Sequence, residues 1–151
     1  MNRKTILLTG ATGFLGSHLL KFWISKGHSL IILKRSTSSL SRIKEFQNKI
    51  ISYDIDVVGL EKAFLENKID AVVHTATDYG RSKKLSELVE VNVIFTLRCI
   101  ELSKKHEINL FINTDTFFNK NKLKYSYLSN YTLTKRMTEL SLPLYADSNF
   151  T

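Results

Sequence analysis

Residues 9–20 read TGATGFLGSHLL, and the position of the glycines in this stretch decides the fold. Gly10, Gly13 and Gly16 are spaced GxxGxxG, directly after the apolar run TILLT at 5–9 and at the opening of a helical pattern at 15–26. Each glycine has a separate physical role in a strand–turn–helix of this kind. Gly10 permits a tight turn, Gly13 lets a pyrophosphate come close to the backbone, and Gly16 lets the helix pack against the sheet. The helix N-terminus then offers free N–H groups and a partial positive charge to phosphates. A glycine triplet alone is often only a turn, but one placed between a strand and an amphipathic helix points to a bound dinucleotide.

Working outward, short apolar runs alternate with helical patterns. Strands are expected at 5–9, 30–34, 50–53, 71–75 and 110–114, several of them apolar throughout, as suits strands covered on both faces. Helices are expected between them. In 15–26, Leu15, Leu19, Phe22 and Trp23 form one stripe, ended by Gly27; in 59–67 the apolar positions are Leu60, Ala63 and Phe64. The stretch 84–105 carries Leu85, Leu88, Val91, Phe95, Cys99 and Leu102 at helical spacing, which makes Cys99 a core thiol and not a nucleophile. A last helix runs from Tyr131 toward Leu142, where Pro143 is a poor continuation. Loops fall at 35–43 and 117–130. With right-handed crossovers these units give one α/β domain over 1–151, a Rossmann-type doubly wound parallel sheet of order 3-2-1-4-5.

Bulk properties narrow the setting. The net charge of +8 comes from basic residues that are dispersed, with Lys83–Lys84 and Lys104–Lys105 as the densest spots. That pattern favours a solvated surface over a nucleic-acid or anionic-membrane face. No run approaches a membrane span, and the apolar part of the N-terminus is too short for a signal peptide. Cys99 is the single cysteine, so no internal disulfide forms and a reducing cytoplasm is the expected compartment.

The end of the second strand bears on which dinucleotide is held. A carboxylate there would grip the ribose 2′-hydroxyl of NAD, but the sequence is Leu33-Lys34-Arg35-Ser36, with no acid nearby. The planar guanidinium of Arg35 matches a 2′-phosphate, so NADP is favoured and NAD remains possible; the other reading is a solvated basic loop. Asp54, past the third strand, either accepts a hydrogen bond from the adenine amino group or is a plain turn residue.

YxxxK occurs twice, as Tyr79/Lys83 and Tyr131/Lys135. Tyr79 precedes Gly80 in an expected surface loop. Tyr131 opens a helix, where i and i+4 side chains share one face. A lysine ammonium one turn away favours the phenolate and lowers a tyrosine pKa from about 10, and it can also hydrogen-bond a nicotinamide ribose. Thr114, at the end of the fifth strand, is best placed to hydrogen-bond a substrate oxygen beside Tyr131; the other reading is a β-branched strand residue whose hydroxyl is already satisfied. Asp115 beside it is either an acid or a turn residue. His74 is read as a strand-end residue facing the cofactor and His106 as a surface residue; neither has partners at metal-ligand spacing.

The glycine turn, VVHTATDYG at 72–80, Asn92, FINTDTFF at 111–118 and YTLTK at 131–135, taken in order, resemble the extended short-chain dehydrogenases, the NAD-dependent epimerase/dehydratase family of nucleotide-sugar enzymes. Within it the chain looks most like the 4-keto reductases of CDP-3,6-dideoxyhexoses that serve O-antigen synthesis. The resemblance implies a Thr114–Tyr131–Lys135 triad and a cofactor held by Gly10, Thr12, Gly13, Phe14, Leu15 and Gly16. It also implies contacts to the cofactor from Lys34, Arg35, Asp54, Ile55, Thr75 and Ala76. The implied substrate is a nucleotide-sugar, with a homodimer as a further possibility. Phe118 stands where many members have tyrosine. Members of the family continue well past the length of this chain into a substrate lobe. The sequence therefore leads us to expect dinucleotide binding with slow or no turnover by the chain alone, and an outer edge of the fifth strand without a neighbour. The competing expectation is a non-catalytic dinucleotide-binding module.

Overall fold

The computed structural model describes residues 2–119 and 128–151. Five parallel strands, β1 (Thr5–Thr9), β2 (Ser29–Lys34), β3 (Ile50–Asp54), β4 (Ala71–His74) and β5 (Phe111–Asn113), form one sheet in the order β3-β2-β1-β4-β5. This is the expected doubly wound topology. β1, β2 and β4 read as apolar runs because both their faces are covered. On β1, Leu7 joins a cluster with Ile31, Val72, Cys99 and Ile100 on one face, while Ile6 and Leu8 join Leu20, Ile32 and Val73 on the other.

Helices α1 (Phe14–Ser25), α2 (Ile55–Val58), α3 (Lys62–Glu66), α4 (Leu85–Val89), α5 (Phe95–Lys105) and α6 (Ser129–Ser141) fill the connections. The inward stripe of α1 differs from the expected one. Leu15 and Phe22 are exposed, and Gly16, Ser17 and Leu20 are buried, with Leu19, Trp23 and Ile24 packed beside them. The reason is steric: Gly16 lies against the backbone of Gly10, so the positions one and two turns further along turn inward with it. Gly27, at φ +82°, ends the helix as expected. The expected loop at 35–43 is shorter, because a 3₁₀ stretch from Ser41 to Lys49 buries Ile43. The loop expected at 117–130 opens with a 3₁₀ turn at Phe117–Asn119, and its residues 120–127 lie outside the described residues.

The long helix expected at 84–105 is interrupted. Between α4 and α5, residues Glu90–Ile94 make a π turn. Its buried line passes through Leu88, Asn92, Val93, Thr96, Cys99 and Ile100, so a polar residue sits at its centre and Leu85 is left partly exposed. Cys99 packs in the core as expected, and burial pushes its thiol pKa up. His106, expected at the surface, is partly covered against Phe64, with its Nε2 buried and without a hydrogen-bond partner among the described residues. The outer edge of β5 is not bare: Thr151 N–H donates to Asn109 O (2.9 Å) and Phe111 N–H donates to Thr151 O (2.8 Å). No helix among the described residues is long and apolar enough to cross a membrane.

His74 ties the sheet to the helix layer. Its Nδ1 lies 3.0 Å from Thr9 Oγ1 and its Nε2 3.0 Å from Thr96 Oγ1. Thr96 gives its hydroxyl proton to Asn92 O (2.8 Å), so it accepts from Nε2–H, while Thr9 accepts the Thr75 and Ala76 N–H groups and donates to Nδ1. Burial, reinforced by the charge on Lys135, pushes the His74 pKa down to about 3. Above the unfolded-state value of about 6.5 the imidazole is neutral in both states. Below it, the unfolded chain takes up a proton that the fold refuses, and stability is lost as pH falls from there toward the folded value. From pH 7 to pH 5 this group lowers the unfolding free energy by about 2 kcal/mol. Urea unfolding across that range checks it: His74→Gln flattens the profile, and an unchanged slope in the variant contradicts the assignment.

Candidate active site

The glycine turn is built as its spacing demands. Gly10 sits at φ +68°, and a Cβ there would fall 2.6 Å from both Thr75 Oγ1 and Ala76 N. Gly13 N–H closes the turn onto Gly10 O (2.9 Å). A Cβ on Gly16 would lie 2.2 Å from Gly10 O, so the close approach that needs this glycine is to the turn itself and not to the sheet. Helix α1 starts with Gly13 as its N-cap, with no side-chain cap and no acid in its first turn. Its N–H groups are thus open to an anion, and they face a crevice of about 630 Å³ lined by Gly10, Thr12, Gly13, Phe14, Leu15 and Gly16.

At one end of this crevice stand Lys34, Arg35, Ser38 and Ile55. The corner is not free of acids, contrary to the sequence reading, because the parallel register sets Lys34 opposite Asp54 and delivers Asp56 just beyond. Both carboxylates are engaged. Lys34 Nζ ion-pairs with Asp54, and Asp56 accepts from Ser36 N–H (2.8 Å) and Ser36 Oγ–H (2.6 Å), bonds that hold its pKa low. The charge that Arg35 brings to the crevice comes from the tip of β2, where the sequence placed it.

Thr75, Ala76, Thr114, Tyr131 and Lys135 line the other end. Thr75 is pinned by Oγ1–H to Thr9 O (2.7 Å). Tyr131 and Lys135 are each 4% exposed, on one face of α6. Lys135 Nζ donates to the main-chain carbonyl of Thr114; burial lowers its pKa, and Asp115 opposes that shift. Thr114, expected to offer its hydroxyl to a substrate oxygen beside Tyr131, lines the crevice and donates its Oγ1–H to His74 O (3.1 Å). The hydroxyls that act on the Tyr131 phenol, favouring its ionised form, belong to Thr116 and Thr77. Thr116, two residues beyond Thr114 and past the end of the strand, is almost wholly buried. The phenol pKa is raised and not lowered, chiefly by burial, with the Thr116 and Thr77 hydroxyls working against the shift. At neutral pH the group therefore keeps its proton and can give it away. Asp54 lies at Lys34, outside the crevice lining, with Ile55 taking the place at the wall.

Two features were beyond the sequence reading. Tyr79, set aside as a surface-loop residue, lines the crevice and packs on Tyr131 with ring centroids 4.8 Å apart. Asn92 organises the loop that carries it. Its Oδ1 accepts from Asp78 N–H (2.8 Å) and Thr77 Oγ1–H (3.3 Å), and its Nδ2 donates to Asp78 O (2.9 Å) and Thr134 Oγ1 (3.0 Å). The signal was present as a polar residue on the buried stripe of an apolar helix.

With this geometry in place, the comparisons are specific. Residues 6–150 match the NAD dependent epimerase/dehydratase family. The chain belongs to that family. It is 40% identical over 141 residues to CDP-abequose synthase of Salmonella muenchen, a match covering 91% of this chain and 46% of that protein. The chain spans about half the length of the curated relatives it matches. Among solved structures, UDP-glucose 4-epimerase of Thermotoga maritima, determined with UDP-glucose, superposes with a TM-score of 0.80 at 23% identity over 96% of this chain and 52% of that one. Bordetella bronchiseptica WbmH, in complex with NAD+, gives 0.78 at 18% identity over 96% and 53%. At these identities the structures establish the shared fold.

A buried ammonium whose pKa is lowered costs the fold stability wherever it stays charged. Lys135→Met removes that cost at neutral pH, so its Tm is expected to rise. Thermal unfolding by circular dichroism reads it. A fall in Tm would show that Lys135 is held for stability and not for the crevice.

Proposed function

We propose that this chain forms the cofactor-binding and proton-donating part of a nucleotide-sugar oxidoreductase. The proposed reaction is NADPH-dependent reduction of the C4 keto group of a CDP-4-keto-3,6-dideoxyhexose. The observation that carries this reading is the burial of Tyr131 and Lys135 on the wall of the crevice that the glycine turn opens. An uncapped, acid-free helix end fits a pyrophosphate. The choice of CDP and of a 3,6-dideoxy sugar is supported by the similarity to CDP-abequose synthase.

When bound, the reduced nicotinamide supplies the hydride that reduces the carbonyl carbon. Tyr131 gives its phenolic proton to the carbonyl oxygen as charge builds there, and the phenolate recovers a proton from solvent. Because burial keeps this phenol neutral, it acts in the reductive direction as an acid. The Thr116 and Thr77 hydroxyls favour the ionised phenol, which eases release of its proton. Lys135 places a positive charge in the same wall, fixed by the Thr114 carbonyl. At the far end, with Asp54 and Asp56 occupied by Lys34 and Ser36, Arg35 is the residue suited to a 2′-phosphate. Both NADPH and NADH remain chemically competent donors, and Arg35 sets the preference.

Two variants test this. Arg35→Ala weakens NADPH binding, measured by nicotinamide fluorescence, by about 10- to 100-fold, the loss of one charge-assisted contact, and leaves NADH binding unchanged. Tyr131→Phe leaves NADPH affinity intact and lowers reduction of the keto-sugar by about 10²- to 10⁴-fold. A wild-type chain that binds NADH at least as tightly as NADPH contradicts the cofactor assignment, and full activity in Tyr131→Phe contradicts the proton donor.

A further inference from the structure

Tyr79 is a large aromatic residue that stays 56% exposed while lining the crevice. One face of its ring rests on Tyr131, the planes tilted by 33°. The loop that presents it is held firmly. Asn92 grips Asp78 N–H and O, Asp78 Oδ1 accepts from Gly80 N–H (2.9 Å), and Lys83 pairs with Asp78 Oδ2 (2.5 Å). Gly80, at φ +78°, sits so close to α4 that a Cβ would fall 2.5 Å from Leu88 Cδ1, so the loop is seated on that helix. Tyr79 is therefore a fixed ring, and its uncovered face is apolar surface held in water beside the proton donor.

We propose that Tyr79 is a specificity-determining residue: its exposed ring is a platform for the apolar C–H face of a deoxyhexose, and it disfavours a fully hydroxylated sugar. This rests on the oxidoreductase reading above and names the subsite for its substrate. The chemistry is one of desolvation. A ring face can cover C–H groups and gains from doing so, but it offers no partner of hydrogen-bond strength to a hydroxyl pressed against it, which then loses its water. A sugar lacking hydroxyls at C3 and C6 avoids that loss. Because the platform abuts Tyr131, a sugar ring seated on it lies next to the phenol that donates the proton. Lys83 and Asp78 pair with each other at the base of the loop.

The test compares two sugars on the same nucleotide. Calorimetric titration of the NADP-loaded chain with a CDP-linked 3,6-dideoxyhexose and with CDP-glucose is expected to show tighter binding of the deoxy sugar by about tenfold, the scale of discrimination by an apolar contact. Tyr79→Phe keeps that preference and Tyr79→Ala abolishes it. Tyr79→Leu, which keeps apolar bulk without the ring, retains only part of it. NADPH affinity in each variant controls for folding. Equal affinity of the wild type for both sugars, retention of the full preference in Tyr79→Ala, or no sugar binding by a chain that holds NADP would each overturn the inference. A wild-type chain that binds no dinucleotide overturns the oxidoreductase reading itself, and this inference with it.

Discussion

The structure depends on one close contact, between the start of α1 and the backbone carbonyl of Gly10. With hydrogen in place of a methyl group at Gly16, the helix begins immediately above the tip of β1; any side chain there would collide with Gly10 O at 2.2 Å. Two consequences follow. The first turn of α1 presents its unpaired N–H groups to the crevice at the carboxyl ends of the strands. The rotation of α1 also puts Leu20 and Trp23 over β1 and β2 while Phe14 and Leu15 face the crevice. In a doubly wound sheet this is where the strand order reverses, with β1 leading outward to β2 on one side and to β4 on the other, and it is where ligands bind.

A second layer of constraint is polar and buried. Thr9, His74, Thr96 and Asn92 form a continuous chain of hydrogen bonds from β1 through β4 to the π turn. The wide turn leaves the Asn92 carbonyl available to the hydroxyls of both Thr96 and Thr138, which ties α6 to the same point. Each member is satisfied, so the chain rigidifies instead of penalising the core. It matters because α6 carries Tyr131 and Lys135, and the Asn92 amide carries the Tyr79 loop. The crevice wall that holds Tyr131 and Lys135 and the loop beside it are thus referenced to one residue.

Much of this was legible in the amino-acid sequence. All five strands and their order could be read, because buried parallel strands advertise themselves as short apolar runs and handedness leaves few topologies. The glycine turn could be read because a strand–turn–helix needs glycine at those positions, and the shared face of Tyr131 and Lys135 because i and i+4 side chains align on a helix. What escaped was set by tertiary contact. The inward face of α1 depends on where Gly16 touches Gly10, and the π turn depends on an asparagine satisfied by residues 14 and 42 positions away. Thr114 was read as a hydroxyl for a substrate oxygen or as a satisfied strand residue, and its bond to His74 O comes from a neighbouring strand, beyond any local pattern. Tyr79 was discounted because a YxxxK in a loop has no shared face; its partner proved to be Tyr131 and not Lys83. The acids at the tip of β2 arrive from β3, a neighbour no local reading supplies.

The account stands on a dinucleotide lying between the α1 N-terminus and α6, with its nicotinamide at the tyrosine. Nuclear Overhauser spectroscopy of the chain saturated with NADPH, with tyrosine rings isotopically labelled and Tyr131 assigned by its Phe variant, tests that placement directly. Cross-peaks from the nicotinamide ring protons to the Tyr131 ring are the predicted result. A bound cofactor whose nicotinamide shows no contact with that ring, or contacts only the exposed face of α6, would contradict it.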